Sequence, residues 1–313
     1  MPLPRSWESW EFNLGYMSNY SHIPVMLKEA LDFLDIKASG NYIDGTLGGG
    51  GYSKIISEKI GDKGTLISID LDPLAVDNFL KNEYKNVIVV NDNFSNLEEI
   101  VLKNKKGMKF DGIVVDLGLS SAQLDDDSRG FSFLNDSDLD MSFGPQILTD
   151  TRFIVSNYNI KDLERVIKEY GQEPWARRIA HNIVLHRRKN KIKTTQDLVE
   201  IVKASIPRKF WPRKIHPATK TFQALRMETN KELESLEKFL PASIKLLKKG
   251  GRLVVVSFHS LEDRIVKNFF KDLARQEKPI LKILTNKPLT PGNEELSSNP
   301  RSRSAKLRAI EKL

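Results

Sequence analysis

The stretch Tyr42-Ile43-Asp44-Gly45-Thr46-Leu47-Gly48-Gly49-Gly50-Gly51 constrains this chain more than any other. A short apolar strand ends in an aspartate, and four consecutive glycines follow before a helix-like run from Ser53 to Ile60. Glycine reaches backbone angles that other residues avoid and lets a ligand lie directly against the main chain. A turn of this kind between a first strand and a first helix is where open α/β sheets hold nucleotide-like ligands. The spacing is not the G-x-G-x-x-G of dinucleotide binders, which seats a pyrophosphate on the helix N-terminus. Asp44 precedes the glycines, next to where such a phosphate would sit. The pattern therefore favours a ligand without phosphates and with positive charge. An isolated glycine run also suits a plain surface loop, so the rest of the chain must decide.

Strand-like and helix-like segments alternate through the first third. Val25 to Phe33 reads as an amphipathic helix. Strands are predicted at Tyr42–Asp44, Thr65–Asp70, Asn86–Val90 and Phe110–Asp116. Strands separated by helical patterns of about 10–15 residues indicate βαβ units and a parallel sheet. From about Ser121 to Arg226 the alternation stops and helical patterns take over, at Asp162–Tyr170, Pro174–His186 and Thr195–Ala204, with a basic, proline-bearing loop over Pro207–Pro217. Strand chemistry resumes at Gly251–Ser257 after a helix over Lys231–Leu247, which Gly250-Gly251 would stop. Leu281–Leu284 and Ala305–Ile310 are candidate edge strands. The predicted organisation is one doubly wound sheet over 20–122 and 227–313, a helical, basic insertion over 123–226 and a disordered leader over 1–19.

Composition excludes several function classes. The 313 residues are 40% hydrophobic, and no apolar run approaches the ~20 residues that span a bilayer. The first residues lack the basic start and apolar core of a secretory signal. Cysteine is absent, which removes disulfides, thiolate nucleophiles and cysteine-bound zinc and suits a reducing cytoplasm. The five histidines show no metal-binding spacing, so no metal site is expected. The net charge of +8 is uneven, with 18 Lys and Arg against 7 Asp and Glu from Lys161 to Lys231. A basic block in a mildly acidic scaffold is the footprint of a polyanion partner.

Three acids stand at the carboxyl ends of predicted strands: Asp44, Asp70 and Asp116. Asp70 is placed to accept both hydroxyls of a ribose, and Phe94 to stack on an adenine. Asp116 lies beside Leu117-Gly118-Leu119, where a transferable group would point. Together with the glycine turn these residues fit S-adenosylmethionine, an unphosphorylated adenosine compound with sulfonium and ammonium charges.

At these residues the chain resembles the bacterial MraW-type family, which methylates N4 of a cytosine in the decoding region of 16S rRNA using S-adenosyl-L-methionine. The resemblance covers almost all of 20–313. Its landmarks are the segments 21–27, 42–51, 116–125, 129–133, 216–226, 257–267 and 299–304. It implies a Rossmann-like class I methyltransferase sheet with a helical insertion after the fourth strand. By motif it implies cofactor contacts at Gly50, Gly51, Tyr52, Asp70, Phe94, Asp116 and Gln123, and a target at cytosine 1402 in the family's usual rRNA numbering. The chain departs from the family at Tyr52, usually histidine, at Ala122, usually proline, and at Ser142, often arginine. The implied partner is 16S rRNA within a small-subunit assembly particle, in the cytoplasm, with room for a homodimer.

The chemistry then asks for alignment of a weakly nucleophilic amine with the sulfonium methyl and for an acceptor of its hydrogen bonds. Asp116 is the candidate acceptor. Phe131 and Phe133 are candidate platforms for an unstacked base or else core residues. His259 reads better as a buried hydrogen-bonding histidine or an RNA contact than as a general base. Arg177, Arg178, Arg187, Arg188, Lys189, Lys191, Arg208, Lys209, Arg213, Lys214, Arg301 and Arg303 are candidate phosphate contacts. The alternatives are a ribosome-assembly factor that binds cofactor and rRNA without methyl transfer, and a nicotinamide-linked dehydrogenase, which lacks its glycine fingerprint here.

Overall fold

The computed structural model describes residues 24–133 and 135–313, so the leader over 1–19 lies outside the described residues. Seven strands form one sheet in the order β3-β2-β1-β4-β5-β7-β6. They are β1 Asn41–Asp44, β2 Thr65–Asp70, β3 Val87–Asn91, β4 Phe110–Asp116, β5 Leu247–Ser257, β6 Leu281–Ile283 and β7 Lys306–Lys312. The pairs from β3 through β5 are parallel, whereas β7 and β6 are antiparallel. This is the Rossmann-like sheet expected from the sequence. The strand order reverses between β1 and β4, and such switch points open a crevice at the strands' carboxyl ends. Asp44 and Asp116 end those two strands.

Strands β2 and β4 carry the predicted bounds because strands covered on both faces read as unbroken apolar runs. One face packs Ile43, Ile67, Ile113 and Val115 against Leu236, Phe239 and Phe270, which belong to helices α11 (Glu232–Leu246) and α12 (Ser260–Ala274). The other packs Tyr42, Leu66, Val114 and Val254 against Leu34, Ile56 and Ile60 of α1 (Leu27–Leu34) and α2 (Gly51–Ile60). Helix α3 (Pro73–Leu80) opens with proline and is capped by Asp72, and α4 (Leu97–Lys105) follows β3.

Strand β5 differs from expectation. It begins at Leu247, and Gly250 (φ +77°) turns inside its irregular start, where the register to β4 shifts between Phe110 and Gly112. The two glycines therefore shape a strand entry, while the preceding helix already ends at Leu246.

Between β4 and β5 the chain is helical: α5 Ser121–Asp125, α6 Thr151–Asn157, α7 Ile160–Glu169, α8 Ala176–Arg187, α9 Thr195–Ser205 and α10 Thr219–Asn230. Asp150, Asn159 and Thr194 cap α6, α7 and α9 by accepting a backbone N–H from the first turn. These helices share their own apolar core, including Ile154, Leu163, Ile179, Ile183, Leu198, Phe222 and Leu225. Helix α13 (Asn293–Ser298) precedes β7. Among the described residues no helix is long and apolar enough to cross a membrane.

Candidate active site

A cavity of about 440 Å³ opens over the carboxyl ends of β1, β2 and β4, within the ~300–1,000 Å³ typical of small-molecule sites. Its floor comes from the sheet and the glycine turn; its opposite wall comes from the helical insertion, through Phe131, Phe133, Phe143, Phe222 and Arg226.

The turn is built from beneath by Asp44. This carboxylate is fully buried and absent from the cavity wall; it accepts from Ser53 Oγ at 2.6 Å and from the Thr46 N–H at 3.1 Å. Burial pushes it up to about 7. Asp44 thus holds the turn's shape and adds a local bias against anions, without touching the ligand space.

The glycines divide by role. Gly48 (φ +49°) lines the cavity, and its N–H donates to Asp70 Oδ2 at 2.7 Å. Gly50 (φ +79°) is not on the wall: a Cβ there would come 2.5 Å from the Phe79 ring. A Cβ on Gly51 would come 2.1 Å from Pro24. These two are small so that Phe79 and Pro24 can pack. The ligand-facing backbone is that of Gly48, Gly49 and the start of α2, which has no side-chain cap. Open N–H groups at a helix start suit a carboxylate.

Tyr52 is 3% exposed, and its hydroxyl donates to the Val25 carbonyl. The ring in place of the family's histidine is therefore committed to fastening the segment at Val25. The Ser142 departure also falls where the main chain acts: its carbonyl accepts from Arg129, and its N–H donates to Asp140.

Asp70 accepts from Gly48 and, at 2.8 Å, from the Asp72 N–H. Burial outweighs those bonds and raises it to about 6. Phe94 meets Phe239 edge-on at 5.2 Å and lines the cavity beside Asn93. Asp116 donates its N–H to Thr46 Oγ1, and its Oδ1 is buried without any hydrogen-bond partner. Burial first, then Asp44, Glu262 and Glu295, push the Asp116 carboxyl well above the usual range.

Gln123 lines the cavity, but its amide is engaged at both ends. Oε1 accepts from the Ser120 N–H, and Nε2 donates to Asp72 Oδ2 at 3.1 Å. Asp72 also pairs with Arg129, which donates to the Ser142 and Phe143 carbonyls. Gln123 therefore joins the end of β2 to the insertion, and its amide retains a second N–H and a second lone pair.

On the insertion side Phe131 packs 5.7 Å from Phe143, while Phe133 lies 4.9 Å from both Phe222 and His216. Both belong to the insertion's core and to the cavity wall at once. His259 caps α12: its Nδ1 accepts the Glu262 N–H, and the Glu262 carboxylate accepts the His259 and Phe258 N–H groups. Burial alone would raise Glu262; His259, the Phe258 N–H and Arg226 outweigh it and hold the carboxyl low.

Glu232, His259 and Glu262 bring potential ligand atoms within 4.8 Å of one another. Spacing along the chain did not reveal this cluster, because Glu232 sits on a different helix. Arg226 grips both Glu232 oxygens, at 2.7 and 2.8 Å, and so already supplies the cluster with a cation. Sequence reasoning missed Arg226, Glu232 and Glu262 as wall residues. The only signal was Glu262 three residues after His259, a capping-box spacing.

Of the basic candidates, Arg187 donates to the Val155 carbonyl and Arg301 pairs with Asp125 at 2.6 Å. Arg177, Arg178, Arg188, Lys189, Lys191, Arg208, Lys209, Arg213, Lys214 and Arg303 are exposed. Arg178 lies over the Trp175 ring and Lys209 over Phe210.

The MraW methylase family model matches residues 19–313. Ribosomal RNA small subunit methyltransferase H of Clostridium botulinum (strain 657 / Type Ba4) is 45% identical over 309 residues, covering 94% of this chain and 99% of its own. The protein of the same name from Trichlorobacter lovleyi is 44% identical, covering 95% of this chain and 100% of its own. A match over nearly the whole length, at this identity, means that the chain belongs to the MraW methylase family.

Proposed function

We propose that this protein transfers the methyl group of S-adenosyl-L-methionine to the N4 amine of a cytosine in 16S rRNA, at the decoding-region position 1402, acting on a small-subunit assembly particle in the cytoplasm. The observation that carries the reading is the two-sided cavity. One side is a glycine turn with Asp70, Phe94 and Asp116; the other is an aromatic and arginine wall supplied by a basic insertion.

The residues fit the methyl donor. The uncapped start of α2 suits its carboxylate, Asp70 its ribose hydroxyls and Phe94 its adenine. The orphaned Oδ1 of Asp116 suits a positive or hydrogen-donating group. When bound, the donor supplies an electrophilic methyl. The chain's own residues do the rest. The insertion wall shields the cavity from water and gives π-faces for a base drawn out of its stack. Asp116 accepts a hydrogen bond from the N4 amine and favours the positive charge that develops there.

Mass analysis of small-subunit RNA from a deletion strain is expected to show loss of one methyl on a cytosine amine. Unchanged RNA would sink the reading.

Donor affinity is expected to depend on pH. Asp70 without ligand binds a proton below about 6. Ribose hydroxyls and a nearby sulfonium favour the charged form, so binding lowers this value and releases a proton. Affinity should therefore rise as pH climbs through about 6. Calorimetry in buffers of different ionisation heat checks the proton release, and Asp70→Asn should abolish the trend near pH 6.

RNA affinity is expected to fall about tenfold when salt is raised threefold, as for roughly three phosphate contacts. A flat response would remove the basic face of α8 and the 207–217 loop as the RNA surface.

A further inference from the structure

Among the described residues only four buried side-chain polar atoms lack any hydrogen-bond partner: Asp116 Oδ1, Ser137 Oγ, Thr221 Oγ1 and His259 Nε2. Two of these residues, Asp116 and His259, line the same cavity. Buried polar groups are overwhelmingly paired, so two orphans on one wall call for a ligand that pairs them.

Their chemistry is complementary rather than alike. The lone pair of His259 Nδ1 is committed to the Glu262 N–H at 3.3 Å, so the proton of the neutral ring is assigned to Nε2 by that bond. Glu262 Oε1 lies 3.1 Å from Nε2, close enough to favour its proton electrostatically, but forms no hydrogen bond with it. Asp116 Oδ1 is an acceptor once the sulfonium of a bound methyl donor draws the carboxyl into its ionised form. One wall therefore presents an acceptor and a donor. The Watson–Crick edge of cytosine offers the counterpart: a donor at the N4 amine and, beside it, an acceptor at ring N3.

We propose that Asp116 and His259 together read this edge, with Asp116 Oδ1 accepting from the N4 amine and His259 Nε2–H donating to N3. The pairing rests on the cytosine-N4 reading above and adds to it a residue that fixes which base is seated and how. Uracil, with an acceptor at position 4 and a donor at N3, would set like against like at both contacts and be rejected. His259 makes no proton transfer in this scheme, because its free nitrogen already carries the proton. It orients the ring so that the amine faces the methyl donor. Glu262 and the start of α12 hold the imidazole in that tautomer.

The test uses small-subunit particles reconstituted with either cytidine or 3-deazacytidine at the target, the latter having C–H in place of N3. His259→Ser keeps a capping oxygen for α12 while removing the donor. On cytidine particles His259→Ser is expected to lower kcat/KM about tenfold, the worth of one well-placed hydrogen bond. The wild type should lose a similar factor on 3-deazacytidine, and the variant little more, so that the two losses do not multiply. His259→Asn, which caps through its oxygen and retains an N–H donor, should recover part of the cytidine preference. Donor affinity of His259→Ser should match the wild type. Equal losses on both particles, or a drop in donor affinity with an unchanged cytidine-to-deazacytidine ratio, would mark a merely structural histidine and overturn the proposal. A wild-type enzyme that fails to methylate cytidine particles would instead overturn the cytosine reading itself.

Discussion

Asp116→Asn is expected to lower methyl transfer by about 10²–10³-fold, the usual scale for removing one preorganised group aimed at developing charge. Three observations combine here. The carboxylate ends β4 at the switch point, its N–H is fixed by Thr46 Oγ1, and its Oδ1 faces no protein donor. Asparagine preserves the size and an acceptor oxygen but cannot ionise, as this raised carboxyl does when a sulfonium or a positive nitrogen stands beside it. Donor affinity should fall by no more than about tenfold, because the α2 start, Asp70 and Phe94 remain. Folding stability should hold or improve, since the wild-type carboxyl is buried near Asp44 and Glu262. Single-turnover methylation and donor titration on the same sample separate the effects. Normal turnover would show that Asp116 serves the donor alone.

The frame of this site was legible in the sequence for a definite physical reason. A parallel strand buried on both faces is an apolar run, and a ligand-binding acid at its end is a polar residue that breaks it. Thr65–Asp70 and Phe110–Asp116 show both signals, and both acids line the cavity. The pattern at Tyr42–Asp44 is the same, yet Asp44 lies beneath the turn, because the Ser53 hydroxyl and the Thr46 N–H satisfy it there. No local pattern distinguishes an acid that faces a ligand from one that props a loop. The glycines carry the same ambiguity. Gly50 and Gly51 look alike in the sequence, yet only Gly51 lines the cavity, and Phe79 and Pro24, each more than 25 residues away, occupy their missing side-chain space. The insertion wall was the least legible part. Arg226 meets Glu232 across the break between α10 and α11, where Lys231 takes a left-handed turn (φ +51°). That geometry brings residues six apart into a bidentate pair that neither helix's periodicity encodes.

Asp72→Ala is expected to cost about 3–5 kcal/mol of stability, because it breaks a buried ion pair by removing one partner. Asp72 is 5% exposed and serves three neighbours. Its Oδ1 caps α3 by accepting the Leu74 N–H at 3.1 Å, and its Oδ2 accepts from Gln123 and pairs with Arg129. The Arg129 guanidinium, with 16% of its side chain exposed, also holds the Ser142 and Phe143 carbonyls, and so fastens the loop that carries Phe143 to the end of β2. Alanine would strand that guanidinium, free one end of the Gln123 amide and uncap α3. The melting temperature should drop by roughly 5–10 °C, while the backbone N–H of residue 72 still donates to Asp70 after the substitution. Asp72→Asn retains the cap and should lose about half as much. The double variant Asp72→Ala/Arg129→Met should recover much of the stability, since an apolar pair in place of a buried ion pair is often neutral. It should not recover the positioning of Phe143, so methylation would stay low in a refolded, donor-binding protein. An Asp72→Ala protein as stable as the wild type would show that the insertion is held to the sheet by its apolar contacts, with the ion pair contributing little.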